Sequence, residues 1–143
     1  METVPTEIRF IADVMLGRLA TWLRLLGCDV EYFREISDEE LVERAYREGR
    51  VILTRDLELS RRRKARGNHF LVRGDGYKEQ LRQVVSRFSI DPFARILTRC
   101  PRCNLPLEEI GLEEARRRVP PFVYETQREF RGCGSCGRVY WRG

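Results

Sequence analysis

Residues 9–33 read RFIADVMLGRLATWLRLLGCDVEYF, and this stretch decides the fold. Arg9 to Val14 is a short apolar run suited to a buried strand. Leu16, Leu19, Ala20, Leu23 and Leu26 then recur at three- and four-residue steps, the spacing of one helix face. Gly27 stops that helix, and Asp29 to Phe33 suits a second strand. A strand, a helix and a strand in this order predict parallel strands joined by a helical crossover.

Downstream the pattern continues. Ser37 with Glu40 forms a capping box that opens a helix through Leu41, Val42, Ala45 and Tyr46, ending at Gly49. Val51 to Thr54 (VILT) is a third apolar strand. A basic helix is predicted from about Leu57 to Arg66, closed by Gly67. His69 to Val72 is the fourth strand, and Tyr77 to Phe88 the last helix of the series. This alternation predicts an α/β fold, a doubly wound parallel sheet of about four strands covered on both faces. The expected strand order is 2-1-3-4. Every proline but Pro5, and every cysteine but Cys28, lies beyond residue 91. That shift in composition divides the chain into an α/β domain over 8–90 and a cysteine-bearing module over 96–143.

Composition bounds the function. With 143 residues, 42% of them hydrophobic and 34% charged, the chain has enough apolar material to offset its entropy, which argues against disorder. The best apolar stretch, Leu16 to Leu26, is short and broken by Arg18 and Arg24, which excludes a membrane span there. The opening METVPTE shows no basic leader before an apolar block, so the expected location is the cytoplasm. Of the basic residues only Lys64 and Lys78 are lysines, and the rest are arginines. The planar guanidinium fork suits phosphate oxygens, although coding bias or heat stability also favours arginine. His69 is the only histidine and lies within a strand, which disfavours a serine or cysteine triad. Neither G-x-x-x-x-G-K-[ST] nor H-E-x-x-H occurs.

Open parallel sheets bind ligands beyond the carboxyl ends of their strands, where the strand order reverses. Asp13 falls at the end of the first strand and Asp56 just after the third. Asp38 opens the helix after the second, and Glu39 beside it is a weaker candidate. Two carboxylates about 4 Å apart repel by roughly 4 kcal/mol at an effective dielectric near 20, and a cation is the usual remedy. Hard oxygen ligands with room for water suit magnesium or manganese. Such an ion could activate a water toward a phosphodiester. Arg55 and the run Arg61-Arg62-Arg63-Lys64-Ala65-Arg66 lie immediately beyond Asp56. Together with Arg18 and Arg24 they are the candidate nucleic-acid contacts, RNA being the expected partner.

Cys100-Pro-Arg-Cys103 and Cys133-Gly-Ser-Cys136 are two C-x-x-C knuckles separated by 29 residues. Four thiolates in two close pairs match tetrahedral zinc, with no position left open for water. The zinc is therefore expected to be structural. Between the knuckles a helix is expected over Glu108 to Arg118 and a strand over Phe122 to Phe130. Tyr140 and Trp141, flanked by Arg138 and Arg142, either stack on bases or seal the module against the first domain. Cys28 reads as a small buried thiol.

These pieces in this order resemble the Mut-seven C-terminal RNase domain family, a PIN-like ribonuclease fold followed by a zinc ribbon. The stretches carrying the likeness are FIADVMLGRLATWLRLLGCD at 10–29, SDEEL at 37–41, ILTRD at 52–56, the knuckles CPRC and CGSC, and VYW at 139–141. The resemblance implies metal-dependent RNase activity, with Asp13, Asp38 and Asp56 matching the acidic metal-binding positions. A fourth acidic position has Asp75, in the Gly74-Asp75-Gly76 turn, as its candidate. The competing reading is a non-catalytic RNA-binding or adaptor protein on the same fold. A phosphoryl-accepting receiver domain fits less well, because it needs a fifth strand followed by a lysine where this chain turns to cysteine chemistry.

Overall fold

The computed structural model describes residues 7–142, and the opening METVPT lies outside the described residues. Four strands, β1 (Arg9–Ala12), β2 (Asp29–Tyr32), β3 (Val51–Thr54) and β4 (His69–Leu71), form one sheet in the order β2-β1-β3-β4. Every neighbouring pair in it is parallel. All four carboxyl ends therefore share one edge. Between the strands run α1 (Gly17–Leu25), α2 (Asp38–Glu48) and the short α3 (Leu57–Ser60), and α4 (Tyr77–Arg87) comes after β4.

Alternation along the strands explains the two-sided cover. Phe10, Ala12 and Leu53 face α1 and α4, packing with Leu16, Leu19, Leu23, Val72 and Val84. Ile11 and Ile52 face the other way, onto Leu41, Val42, Ala45, Leu59 and Ala65. Ser37 caps α2 by accepting from the Glu40 amide at 3.1 Å, and Gly49 ends it in the left-handed region.

One expected helix is cut short. The stretch 57–66 is helical only to Ser60, then turns through extended Arg62 into a 3₁₀ turn at Arg63–Ala65. Glu58 is the one acid at helical spacing to the cationic run 61–64, so a continuing helix there would crowd like charges with little ion-pair support. The structure buries Leu59 and Ala65 instead, folding the chain back onto α2.

The second sheet is antiparallel, β5 (Glu108–Ile110), β6 (Phe130–Gly132) and β7 (Val139–Tyr140) in sequence order. Between β5 and β6 lie α5 (Leu112–Arg116) and α6 (Pro121–Thr126). The expected helix over 108–118 thus begins as a strand and is helical only over Leu112–Arg116, and the expected strand over 122–130 is mostly helix. Pro121 occupies the first helical position, where its fixed φ and missing N–H favour helix entry. Ala115, Val119, Val123 and Phe130 make a small core of their own. Tyr124 stacks on Phe130, and Trp141 meets Phe130 edge-on. Trp141 therefore packs on the second sheet's own core.

Two side chains lock the sheets together along the free edge of β2. Asn104 accepts from the Val30 amide at 2.9 Å and donates to Asp29 at 2.8 Å. Arg24 donates to the Val30 carbonyl at 2.8 Å and to the Pro101 carbonyl at 3.1 Å. Both outward backbone groups of the buried edge-strand residue Val30 are thereby paired, which removes a template for stray strand addition. Gly27, at φ +96°, meets the connecting segment so closely that a Cβ would fall 2.5 Å from Arg95. Among the described residues no helix is long and apolar enough to cross a membrane.

Candidate active site and cysteine cluster

Asp13 comes directly after β1, and its amide still pairs with the Leu53 carbonyl at 2.9 Å, so its backbone is fixed by the sheet. Its side chain is only 6% exposed. Oδ2 accepts from the Thr54 hydroxyl at 2.8 Å, and that same hydroxyl oxygen accepts from the Asp56 amide at 2.9 Å. Asp13 and Asp56 therefore stand on neighbouring strands at one edge, joined through Thr54. Asp13 makes no ion pair among the described residues, so a near-buried carboxylate here has a neutral hydroxyl as its support. This is a costly arrangement that a bound cation would relieve.

Asp56 has a second duty. Its Oδ1 accepts from the Glu58 and Leu59 amides at 2.9 and 3.3 Å, capping α3 and leaving Oδ2 outside that cap. Asp38 opens α2 on the same edge, and because Ser37 does the capping, the Asp38 carboxylate is not needed for it. Tyr32 ties the end of β2 to the turn after β1, donating to the Val14 carbonyl at 2.8 Å. The edge is thus braced across three strands.

The three aspartates are not drawn as close as a finished metal site. Among the described residues, the only group of three or more potential ligands whose donor atoms all lie within 4.8 Å of one another is Cys100, Cys103, Cys133 and Cys136. Glu39 sits on α2, beside a shallow groove that it lines with Arg62, Arg63 and Lys64. Asp75 is almost wholly exposed and pairs with Arg55 at 2.9 Å.

The expected cationic contacts separate into two kinds. Arg18, Arg55, Arg61, Arg62 and Arg63 are exposed, while Lys64 of the same run pairs with Glu43 at 2.6 Å. Arg24 departs from the expectation. It is buried, its donors are engaged by backbone carbonyls, and burial lowers its pKa from the usual arginine value. Its role in this structure is to join the two sheets.

The cysteine cluster is built from two matching turns. Each knuckle returns the amide after its second cysteine to the carbonyl of its first, Asn104 to Cys100 at 2.8 Å and Gly137 to Cys133 at 2.9 Å. Both residues are left-handed, at φ +62° and +75°. The Cys100 and Cys133 amides close the turns onto the Leu105 and Arg138 carbonyls. Four thiols gathered this closely, with none in a disulfide, fit a tetrahedral thiophilic ion such as zinc. Cys28 lies elsewhere, and burial pushes its thiol up to about 11, which makes it inert.

Sequence reasoning missed two residues that matter. Thr54 was visible only as part of a strand, since its partner Asp13 is 41 residues away. Asn104 carried one local signal, a residue tolerant of positive φ directly after a C-x-x-C pair. Its docking role had none.

The family model described as Mut7-C RNAse domain matches residues 8–143. No curated protein matches the chain.

Proposed function

The chain belongs to the Mut7-C RNAse domain family, and from that membership we propose a metal-dependent ribonuclease that hydrolyses RNA phosphodiester bonds at the carboxyl edge of the parallel sheet. The observation that supports this reading is the link from the Asp13 carboxylate through the Thr54 hydroxyl to the Asp56 backbone amide, which ties the segments after two adjacent strands together. Asp13, Asp38 and Asp56 offer hard oxygen donors, and magnesium or manganese fits that donor set. When bound, such an ion would supply an activated water and stabilise the leaving oxygen.

The chain's own residues do the remaining work. Thr54 holds Asp13 in one rotamer and fixes the turn into Asp56. Asp38 stands at the start of α2, free of capping duty. The exposed guanidiniums of Arg55, Arg61, Arg62 and Arg63 raise the local concentration of phosphate backbone. Zinc on Cys100, Cys103, Cys133 and Cys136 has a structural role, since four protein ligands leave no open position.

The test is cleavage of labelled RNA with Mn²⁺ or Mg²⁺, with and without a chelator. Asp13→Asn and Asp56→Asn should each abolish cleavage while the protein stays folded. Cleavage retained by both variants overturns the mechanism. Salt-sensitive RNA binding with no metal-dependent cleavage would make the chain an adaptor instead.

A further inference from the structure

Arg18, Trp22 and the half-buried Tyr77 form a stack at the surface that the proposed chemistry does not use. Arg18 and Trp22 lie one turn apart on α1, so their side chains share a face. Tyr77 is the first residue of α4. Its ring stacks with the Trp22 indole, the centroids 5.4 Å apart and the planes within 13°. The Arg18 guanidinium carbon lies 4.3 Å from the Tyr77 centroid. The seam between α1 and α4 is already closed beneath them by Leu19, Leu23 and Val84, all fully buried. Joining the two helices therefore does not require this stack, and Trp22 remains 37% exposed.

Its position points toward the carboxylates. Parallel topology starts both α1 and α4 at the carboxyl edge of the sheet. Arg18 comes five residues after Asp13, and Tyr77 two after Asp75, whose partner Arg55 adjoins Asp56. Arg18 also breaks a local rule. It sits in the first turn of α1, where the helix macrodipole opposes a cation, and that turn has neither an acid nor a side-chain cap. A residue set against local helix stability, exposed and beside a reactive edge, is the pattern expected of a binding position.

We propose that Trp22, Tyr77 and Arg18 form a nucleobase platform that holds a single-stranded segment of RNA against the carboxylate edge. This rests on the ribonuclease reading above. Aromatic faces stack on any base that is unpaired, whereas a duplex hides its base faces. Arg18 adds a guanidinium plane for a base or a charge for a phosphate. The platform positions the strand and takes no part in bond breaking.

The sequence has two tryptophans, so Trp141→Phe leaves Trp22 as the sole reporter. In an Asp13→Asn background without added Mg²⁺ or Mn²⁺, a single-stranded RNA 12-mer should quench Trp22 emission and the matching duplex should not. Trp22→Ala and Tyr77→Ala should weaken single-strand binding about tenfold or more, with Trp22→Phe and Tyr77→Phe retaining it. In the active protein the alanine variants should raise KM and leave kcat close to the parent. Parent-like affinity in the alanine variants, or equal quenching by duplex, overturns the platform. Should an alanine variant fail to fold, the quenching comparison and the phenylalanine variants decide. Asp13-dependent cleavage with no quenching removes the platform and keeps the chemistry; quenching with cleavage that ignores Asp13 does the reverse.

Discussion

Cys100–Cys103 and Cys133–Cys136 reach one point from two turns of the same build, whereas Asp13, Asp38 and Asp56 reach one sheet edge from the segments after three separate strands. The thiols converge within 4.8 Å. Among the described residues no group of three carboxylates does so. Asp13 is held by Thr54, and Asp56 is engaged in capping α3. The lesson concerns range. Each cysteine pair is set by its own local turn, whereas the three aspartates come to one edge through the parallel topology alone.

The sharpest way to break this contrast is to remove a thiol. Structural zinc contributes roughly 10–16 kcal/mol to small peptides, and the second sheet has only Ala115, Val119, Val123 and Phe130 as a buried core. Cys133→Ser should therefore release bound zinc and expose the β5–β7 amides to rapid hydrogen exchange. Full zinc stoichiometry with unchanged exchange would show that the knuckles stand without metal.

Asp13→Asn should give the opposite pattern, function lost and fold kept. Several kcal/mol of charge stabilisation corresponds to at least about a hundredfold in cleavage rate. The melting temperature should stay near the parent's, since an amide oxygen can still accept from Thr54.

Smaller effects lie at the junction between the two sheets. Arg24→Met removes charged donors from the Val30 and Pro101 carbonyls, at a cost of about 3 kcal/mol in urea unfolding. RNA affinity should not change, which separates Arg24 from the exposed arginines. Asn104→Gly keeps the left-handed turn but leaves the buried Val30 amide without its partner, costing about 1–3 kcal/mol. Asn104→Ala should cost a further 1 kcal/mol or so, because a Cβ disfavours that backbone conformation. Equal stability of the two variants would show that the turn carries no strain.

Legibility in the sequence divided by range in the same way. The knuckles were plain because each ligand pair spans four residues. The order β2-β1-β3-β4 was also accessible, since unbroken apolar strands alternating with helices leave few arrangements. The 57–66 helix misled, because one basic run serves equally as helix and as turn until Ala65 is seen buried against α2. At 122–130 the expected strand gives way to a helix that Pro121 opens. Asn104 could not be foreseen as a docking residue, since Val30 lies 74 positions away. The edge shared by Asp13 and Asp56 was implied by strand order, but the Thr54 hydroxyl between them was not.

The most direct measurement is a crystal grown with manganese and zinc, with diffraction recorded at both absorption edges. One zinc at the four Sγ atoms and a manganese bound by Asp13 and Asp56 beyond the sheet are the expected result. Manganese found elsewhere, with the aspartate edge bare, would contradict the carboxylate mechanism.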